Sequence, residues 1–266
     1  MELGLKGKVA IVTGSSKGIG RSIAMALARE GCQVVVSARG ADDVKKVVAE
    51  IHKANGLAQG VVADVVKPDD VKRLAAETVK RFGTVHILVN NAGGIGRFGA
   101  FEDLTDDEWI EIFHLNVLSA VRMTRAVLPS MQKQKWGRII NISSESATQP
   151  DALMPHYNAS KAALNNLTKS LSKAYGKDNI LVNAVSPAFI RTPLVEEMLS
   201  EQARSHGLSV ELAERNFLKE NRPNIVLGRA GQPDETAGIV VFLASDAATF
   251  ISGSNFRVDG GSVASI

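Results

Sequence analysis

Residues 8–20 read "KVAIVTGSSKGIG", an apolar, β-branched run that breaks into glycine and resumes as a helix. The run "KVAIVTG" (8–14) predicts a buried strand ending at Gly14. From Ile19 to Glu30 the apolar residues Ile19, Ile23, Ala26 and Leu27 recur at helical spacing, and Gly31 stops the helix. Between them lies "TGSSKGIG" (13–20). Gly14 permits the tight turn, while Gly18 and Gly20 let a pyrophosphate approach the backbone and the helix pack on the strand. The helix N-terminus adds free N–H groups and partial positive charge. The spacing is G-x-x-x-G-x-G, not G-x-G-x-x-G, and the Gly-Lys-Ser/Thr ending of a P-loop is missing. Any strand-to-helix turn favours glycine, so this stretch alone leaves a dinucleotide site and a plain turn both open.

Outward from it the same alternation repeats. Strands are predicted at 33–38, 57–64, 85–93, 137–144, 180–187 and 255–261, and helices at 41–54, 68–82, 108–131, 155–176 and 234–245. Continuous apolar strands separated by helices mean a parallel sheet covered on both faces. Right-handed crossovers make the expected fold α/β and doubly wound (Rossmann-type), with seven parallel strands and helices on both faces. No linker or composition shift divides the chain, so a single domain over 1–266 is expected. The polar, helix-prone stretch 193–227 breaks the rhythm. At the carboxyl end of a sheet such an insert is expected to cover a substrate crevice.

Composition excludes several function classes. The 266 residues are 45% hydrophobic and 22% charged, with a net charge of +3 spread along the chain, so nucleic acid is not expected as a partner. No apolar run approaches the roughly 18 residues of a membrane span. The first residues lack the apolar core and cleavage site of a signal peptide, and a cytoplasmic protein is expected. Cys32 is the only cysteine, expected to be packed rather than reactive. No His/Asp/Glu set has metal-ligand spacing, so no catalytic metal is expected.

The second strand, "VVVSARG", normally ends in a carboxylate when a ribose 2′-hydroxyl is to be bound. Here it ends in Ala38 and Arg39. Arg39 presents a planar fork suited to phosphate, and Lys17 in the glycine turn reaches the same region. An arginine after a strand is often only a solvated terminus. Two cations without a carboxylate at this corner favour a 2′-phosphate, and so NADP(H) over NAD.

Residues 156–164, "HYNASKAAL", place Tyr157 and Lys161 four apart, on one face of a helix. With the glycine turn, "NNAG" (90–93), "LNV" (115–117), "NISS" (141–144), "SPAFIRT" (186–192) and "VDGG" (258–261), the chain resembles the single-domain form of the short-chain dehydrogenase/reductase family from about residue 6 to 262. The resemblance implies a catalytic set of Asn116, Ser144, Tyr157 and Lys161. Ser144 is selected over Ser143 by the 13 residues separating it from Tyr157 (157 − 144). It further implies that Ser16 and Ile19 belong to the cofactor turn, that Asp64 and the Val65 amide meet the adenine, and that Asn91, Ala92 and Gly93 line a ribose. Pro187, Ile190 and Thr192 would face the nicotinamide, and Asn116 would join a water-bridged path to Lys161. The family often has Pro-Gly where this chain has Pro187-Ala188.

The implied reaction interconverts a ketone and a secondary alcohol. Tyr157 would move the proton; its ordinary pKa of about 10 is high for that task, and the Lys161 ammonium is expected to lower it. Ser144 would hold the substrate oxygen, or else cap a turn, as Ser143 and Ser146 are expected to. His156 is expected to be an ordinary rim residue. Substrate choice should lie in 94–99, 145–155 and 193–227. Close cousins in the family include 3-oxoacyl-ACP reductases. Lys133, Lys135, Arg138 and Lys173 form either a patch for an acyl carrier protein or a plain solvated surface. A small alcohol, diketone or sugar is the alternative substrate, and a non-catalytic NADP-binding regulator the alternative class. Family resemblance also implies a homotetramer or dimer.

Overall fold

The computed structural model describes residues 2–265. Strands β1 (Val9–Thr13), β2 (Gln33–Ala38), β3 (Leu57–Val62), β4 (Ile87–Asn90), β5 (Gly137–Ile142), β6 (Ile180–Pro187) and β7 (Asn255–Val258) form one sheet in the order β3-β2-β1-β4-β5-β6-β7. Every neighbouring pair is parallel. Helices α1 (Gly18–Arg29), α2 (Ala41–Lys53), α3 (Pro68–Phe82), α4 (Asp106–Phe113), α5 (Ser119–Gln134), α6 (Pro155–Tyr175), α7 (Pro193–His206), α8 (Val210–Asn221) and α9 (Pro233–Ala244) complete the chain.

Strand side chains alternate between two cores, as period-2 geometry requires. Ala10 and Val12 of β1 join Ile23 and Leu27 of α1, Val44 and Val47 of α2, and Val240 and Leu243 of α9. Ile11, between them, packs on the other face with Leu74 of α3 and Met123 and Val127 of α5. Strand order reverses between β1 and β4, and a crevice opens there beyond the carboxyl ends of the strands.

Three differences from the sequence-based expectation bear on the site. Strands β3, β4 and β5 end two or three residues early, and the residues set free are Asp64, Asn91–Gly93, Ser143 and Ser144. The single helix expected over 108–131 is two helices joined by a widened, π-type turn at His114–Leu118. Its cause is polar: Asn116 turns inward to bond Gly94 and Ser160 instead of following the helix face. The insert 193–227 folds as the pair α7 and α8, tied to the sheet by Arg191, whose guanidinium meets Glu196 at 2.5 Å and Glu214 at 3.1 Å.

Candidate active site

The glycine turn is clamped from β4. Asn91 Nδ2 donates to the carbonyls of Thr13 (2.8 Å) and Gly14 (3.1 Å), while Thr13 Oγ1 accepts from the Asn91 and Ala92 amides, both at 3.1 Å. Gly14 has φ +63°, and a Cβ there would lie 2.9 Å from Ala92 Cα, so only glycine fits. Lys17 begins α1 with no side chain capping its first amides and no acidic residue in its first turn. Those N–H groups are open to an anion. A cavity of about 740 Å³ lies in front of them. Of the residues singled out in the sequence, Gly14, Ser16, Lys17, Arg39, Asp64, Val65, Asn91, Ala92 and Gly93 border it, and so do His114 and Glu111, which the sequence did not single out.

The corner at the end of β2 holds a carboxylate after all. Asp43 borders the cavity and pairs with Lys17 Nζ at 2.8 Å. It stands four residues beyond Arg39, and the first turn of α2 carries it back over the strand end. Arg39 is exposed and forms no ion pair among the described residues. Asp64 Oδ1 accepts from the Val66 amide at 3.1 Å, and its own amide donates to Asp70 at 2.9 Å, fixing the bend after β3.

The remaining predicted residues assemble beside this cavity rather than on its wall. Gly18 and Ile19 start α1, and Gly20 is buried beneath the turn against Asn91. Thr192 lies over Gly18, with its Cγ2 3.2 Å from where a Cβ would stand, and accepts the Val195 amide at 3.5 Å to start α7. Pro187 ends β6, and Ile190 is buried and bridges to Gly231. Asn116 donates to Gly94 O (2.9 Å) and Ser160 Oγ (2.9 Å) and accepts from Gly94 N (3.0 Å). Lys161 Nζ donates to Ile142 O at 2.8 Å and stands 5.7 Å from the centre of the Tyr157 ring. Ser143 serves the scaffold, donating to Lys161 O at 3.2 Å. Ser144 Oγ caps the turn after β5 by accepting the Ser146 amide at 3.1 Å, and it faces the Tyr157 phenol. Gly93 joins the two regions: a Cβ there would be 2.9 Å from Asn116 Oδ1 and 3.4 Å from Lys161 Nζ.

The electrostatics differ from the expectation. Burial pushes the Tyr157 phenol above its ordinary pKa, the Ser144 bond acts against this, and the Glu145 carboxylate adds to the rise. Burial also depresses Lys161, from 10.5 to about 8. Burial penalises the charge of Lys161, and its ammonium donates to Ile142 O rather than to the phenol. His156 is no rim residue but fully buried, edge-on to Trp109 at 6.0 Å. The basic patch does not form, because Arg138 is buried against Trp136 and Lys135 is paired with Asp178.

The chain is similar to known proteins. The model of the short chain dehydrogenase family matches residues 8–203. The chain is a short-chain dehydrogenase/reductase. This short-chain dehydrogenase is 39% identical to the 3-oxoacyl-[acyl-carrier-protein] reductase FabG of Pseudomonas aeruginosa, covering 97% of this chain and 98% of the other. It is 38% identical over the full length of both chains to the uncharacterized oxidoreductase YvaG of Bacillus subtilis. Its fold matches L-sorbose reductase from Gluconobacter frateurii, crystallised with NADPH and L-sorbose, with TM-score 0.94 and 35% identity over all of both chains. The family supports an oxidoreductase acting on a carbonyl or alcohol with a nicotinamide cofactor. Among the described residues no group of three or more His, Cys, Asp or Glu is arranged to hold a metal ion, and no helix is long and apolar enough to cross a membrane.

Proposed function

We propose that the chain is a cytoplasmic, single-domain, NADP(H)-dependent reductase that interconverts a ketone and a secondary alcohol. The observation that carries this is the joining, through Gly93, of the open α1 N-terminus and cavity to the Ser144, Tyr157, Lys161 and Asn116 group. The residues fit a dinucleotide phosphate: uncapped amides and the glycine-rich turn face the cavity, and Arg39 with Lys17 offers a cationic corner. NADPH bound there would supply the hydride.

The chain's own residues would do the rest. Ser144 holds the carbonyl oxygen within reach of Tyr157. Tyr157, kept protonated by burial, gives its proton to that oxygen as negative charge develops. Lys161, held by Ile142 O, orients a nicotinamide ribose, and Asn116 fixes the 94 loop against α6 through Ser160. Asp64 and Val65 meet the adenine, Asn91, Ala92 and Gly93 a ribose, and Pro187, Ile190 and Thr192 the carboxamide. A homotetramer or dimer is the expected assembly.

Relatives differ in substrate, an acyl-carrier thioester for one and a sugar for another. Against a regulator that merely binds the cofactor stands the complete set of Tyr157, Lys161 and Ser144 at one place. The test is oxidation of NADPH, and of NADH for comparison, with a panel of 3-oxoacyl thioesters, simple ketones, diketones and keto sugars. Turnover with NADPH that disappears in Tyr157→Phe is expected; a preference for NADH would remove the roles given to Arg39 and Lys17.

A further inference from the structure

We infer that Glu145 is a positioning residue for the proton donor: a buried carboxylate, tied to Arg222 of the insert and Ser262 beyond β7, that acts on the reaction through Tyr157. Its bearing on the reaction rests on the ketone reductase proposed above and concerns how that site keeps its proton.

Glu145 directly follows Ser144 and opens the short turn Glu145–Ala147, whose Ser146 amide Ser144 Oγ caps at 3.1 Å. Ser144 faces the Tyr157 phenol, so the carboxylate stands one residue from the group that meets the proton donor. The turn packs on α6, and Asn158, next to Tyr157, donates to Asp151 O at 2.7 Å and closes the loop. Only 6% of Glu145 is exposed. A carboxylate buried to that degree needs donors and counter-charge. Arg222, at the end of α8, supplies charge: its Nε lies 3.7 Å from Glu145 Oε1, while its Nη2 pairs with Asp151 at 3.2 Å. Ser262 is fully buried and turns its hydroxyl toward the same carboxylate. Asp259, on the same segment, accepts the Gly261 and Val263 amides and adds negative charge nearby.

The charges of this knot do not balance. Glu145, Asp151 and Asp259 meet the one guanidinium of Arg222, and on α6 the Lys161 ammonium donates to Ile142 O. Where water is excluded, a fixed negative charge opposes a second one, so Glu145 resists formation of the Tyr157 phenolate. Tyr157 then stays a proton donor, which favours carbonyl reduction over alcohol oxidation. Arg222 moderates the effect from the insert, and its loss would leave Glu145 less neutralised.

The chain has two tyrosines, so Tyr175→Phe leaves Tyr157 as the one phenol that titrates. Phenolate absorbance of the full chain is followed against pH in that background, with circular dichroism at each point so that only folded protein counts. Glu145→Gln removes the charge and keeps the shape, and at about pH 10 its phenolate signal should rise roughly threefold over the parent. Glu145→Asp, which keeps the charge, should restore the parent's signal. Arg222→Gln, at a partly exposed position, should lower the signal, because the carboxylate loses its counter-charge. A knot that only braced the fold would move Glu145→Gln and Arg222→Gln the same way, by admitting water. An unchanged signal in Glu145→Gln, or shifts of one sign in the two variants, would overturn the inference. If Glu145→Gln does not fold, Arg222→Gln decides: a signal at or above the parent's overturns it. Steady-state oxidation of NADPH with the carbonyl panel is run on the same proteins, and the alkaline loss of kcat/KM should begin at lower pH in Glu145→Gln. The titration needs no substrate. A protein that reduces no carbonyl yet shows the two opposite shifts would overturn the reductase proposal and uphold the action of Glu145 on Tyr157.

Discussion

At the turn after β1 the crevice wall is mostly backbone, while beyond β5 and β6 it is side chain. On the first side Gly14, the free amides of α1 and the Asn91 clamp set N–H and C=O groups against the cavity, with the charged side chains Lys17, Arg39, Asp43 and Asp64 around them. On the second side Ser144, Tyr157, Lys161, Glu145 and Arg222 converge from β5, α6 and α8. The difference teaches what each wall is for. A cofactor is the same molecule in every turnover and can be met by rigid backbone, whereas proton transfer and substrate choice need groups whose charge and reach can be set one residue at a time.

The sharpest way to separate the walls is Tyr157→Phe. It removes one oxygen from the side-chain wall and nothing from the backbone wall. Turnover should fall by about 10²–10⁴-fold, the range for a lost general acid, with the dissociation constant for NADPH within about twofold of the parent. Steady-state rates and fluorescence titration check the two halves of that statement. Equal losses of rate and affinity would mean that the two walls do not act separately.

Gly93→Ala strikes where they join. The added methyl would meet Asn116 Oδ1 at 2.9 Å, with Lys161 Nζ in contact at 3.4 Å, so Asn116 and the 94 loop bound to it must give way. Overpacking of this kind costs about 1–3 kcal/mol, and the variant should lose roughly tenfold or more in turnover and in NADPH affinity together. A variant weakened in only one of the two would place the junction elsewhere.

What the sequence revealed follows the same division. The glycine turn and the Tyr157–Lys161 spacing are legible because strand, turn and helix translate local spacing directly into position. Ser144 is legible by its separation from Tyr157 only once the family pattern is in view. Contacts made by chain return are not. Asp43 reaches the cofactor corner because α2 folds back over β2, and a string reading of "VVVSARG" ends before it. Arg138 looked like surface charge, but it lies on fully buried β5 and stacks on Trp136 at 4.2 Å. The π-type turn at Asn116 depends on Gly94 and Ser160, 22 and 44 residues away, so local periodicity extended one helix straight through it.

At the cofactor corner the expected effects are smaller and opposite in sign. Arg39→Ala should weaken NADPH by about tenfold, the worth of one charge-assisted hydrogen bond, and leave NADH nearly unchanged. Asp43→Asn releases Lys17 from an exposed pair worth at most about 1 kcal/mol, so NADPH should tighten by a few-fold. Titration of both variants with 2′-AMP and 5′-AMP isolates the phosphate. A weaker grip on 2′-AMP in Asp43→Asn would mean that the carboxylate positions Lys17 rather than competing for it.

The smallest effects fall on stability, and they separate the crevice from the opposite end of the strands. His86 precedes β4, and its Nδ1 accepts the Val9 amide at 3.0 Å. Burial, with Lys8 nearby, depresses its pKa from 6.5 to about 4. Between those values the unfolded chain binds the extra proton and the folded chain does not, so stability is full above pH 6.5 and is lost as pH falls toward 4. Lys161, on the crevice side, is depressed from 10.5 to about 8, so the same sign applies in a different window: stability rises as pH climbs from about 8 toward 10.5. Melting temperature against pH should therefore decline on the acid side and gain on the alkaline side. His86→Gln should flatten only the acid limb, with turnover unaffected, because the strand end it serves is remote from the site. Lys161→Met should flatten only the alkaline limb and raise the melting temperature near pH 7 while destroying turnover, since the protein no longer holds a buried cation there. If Lys161→Met instead melts lower at pH 7, the bond to Ile142 O outweighs the cost of burying the charge, and the lysine supports the fold as well as the chemistry.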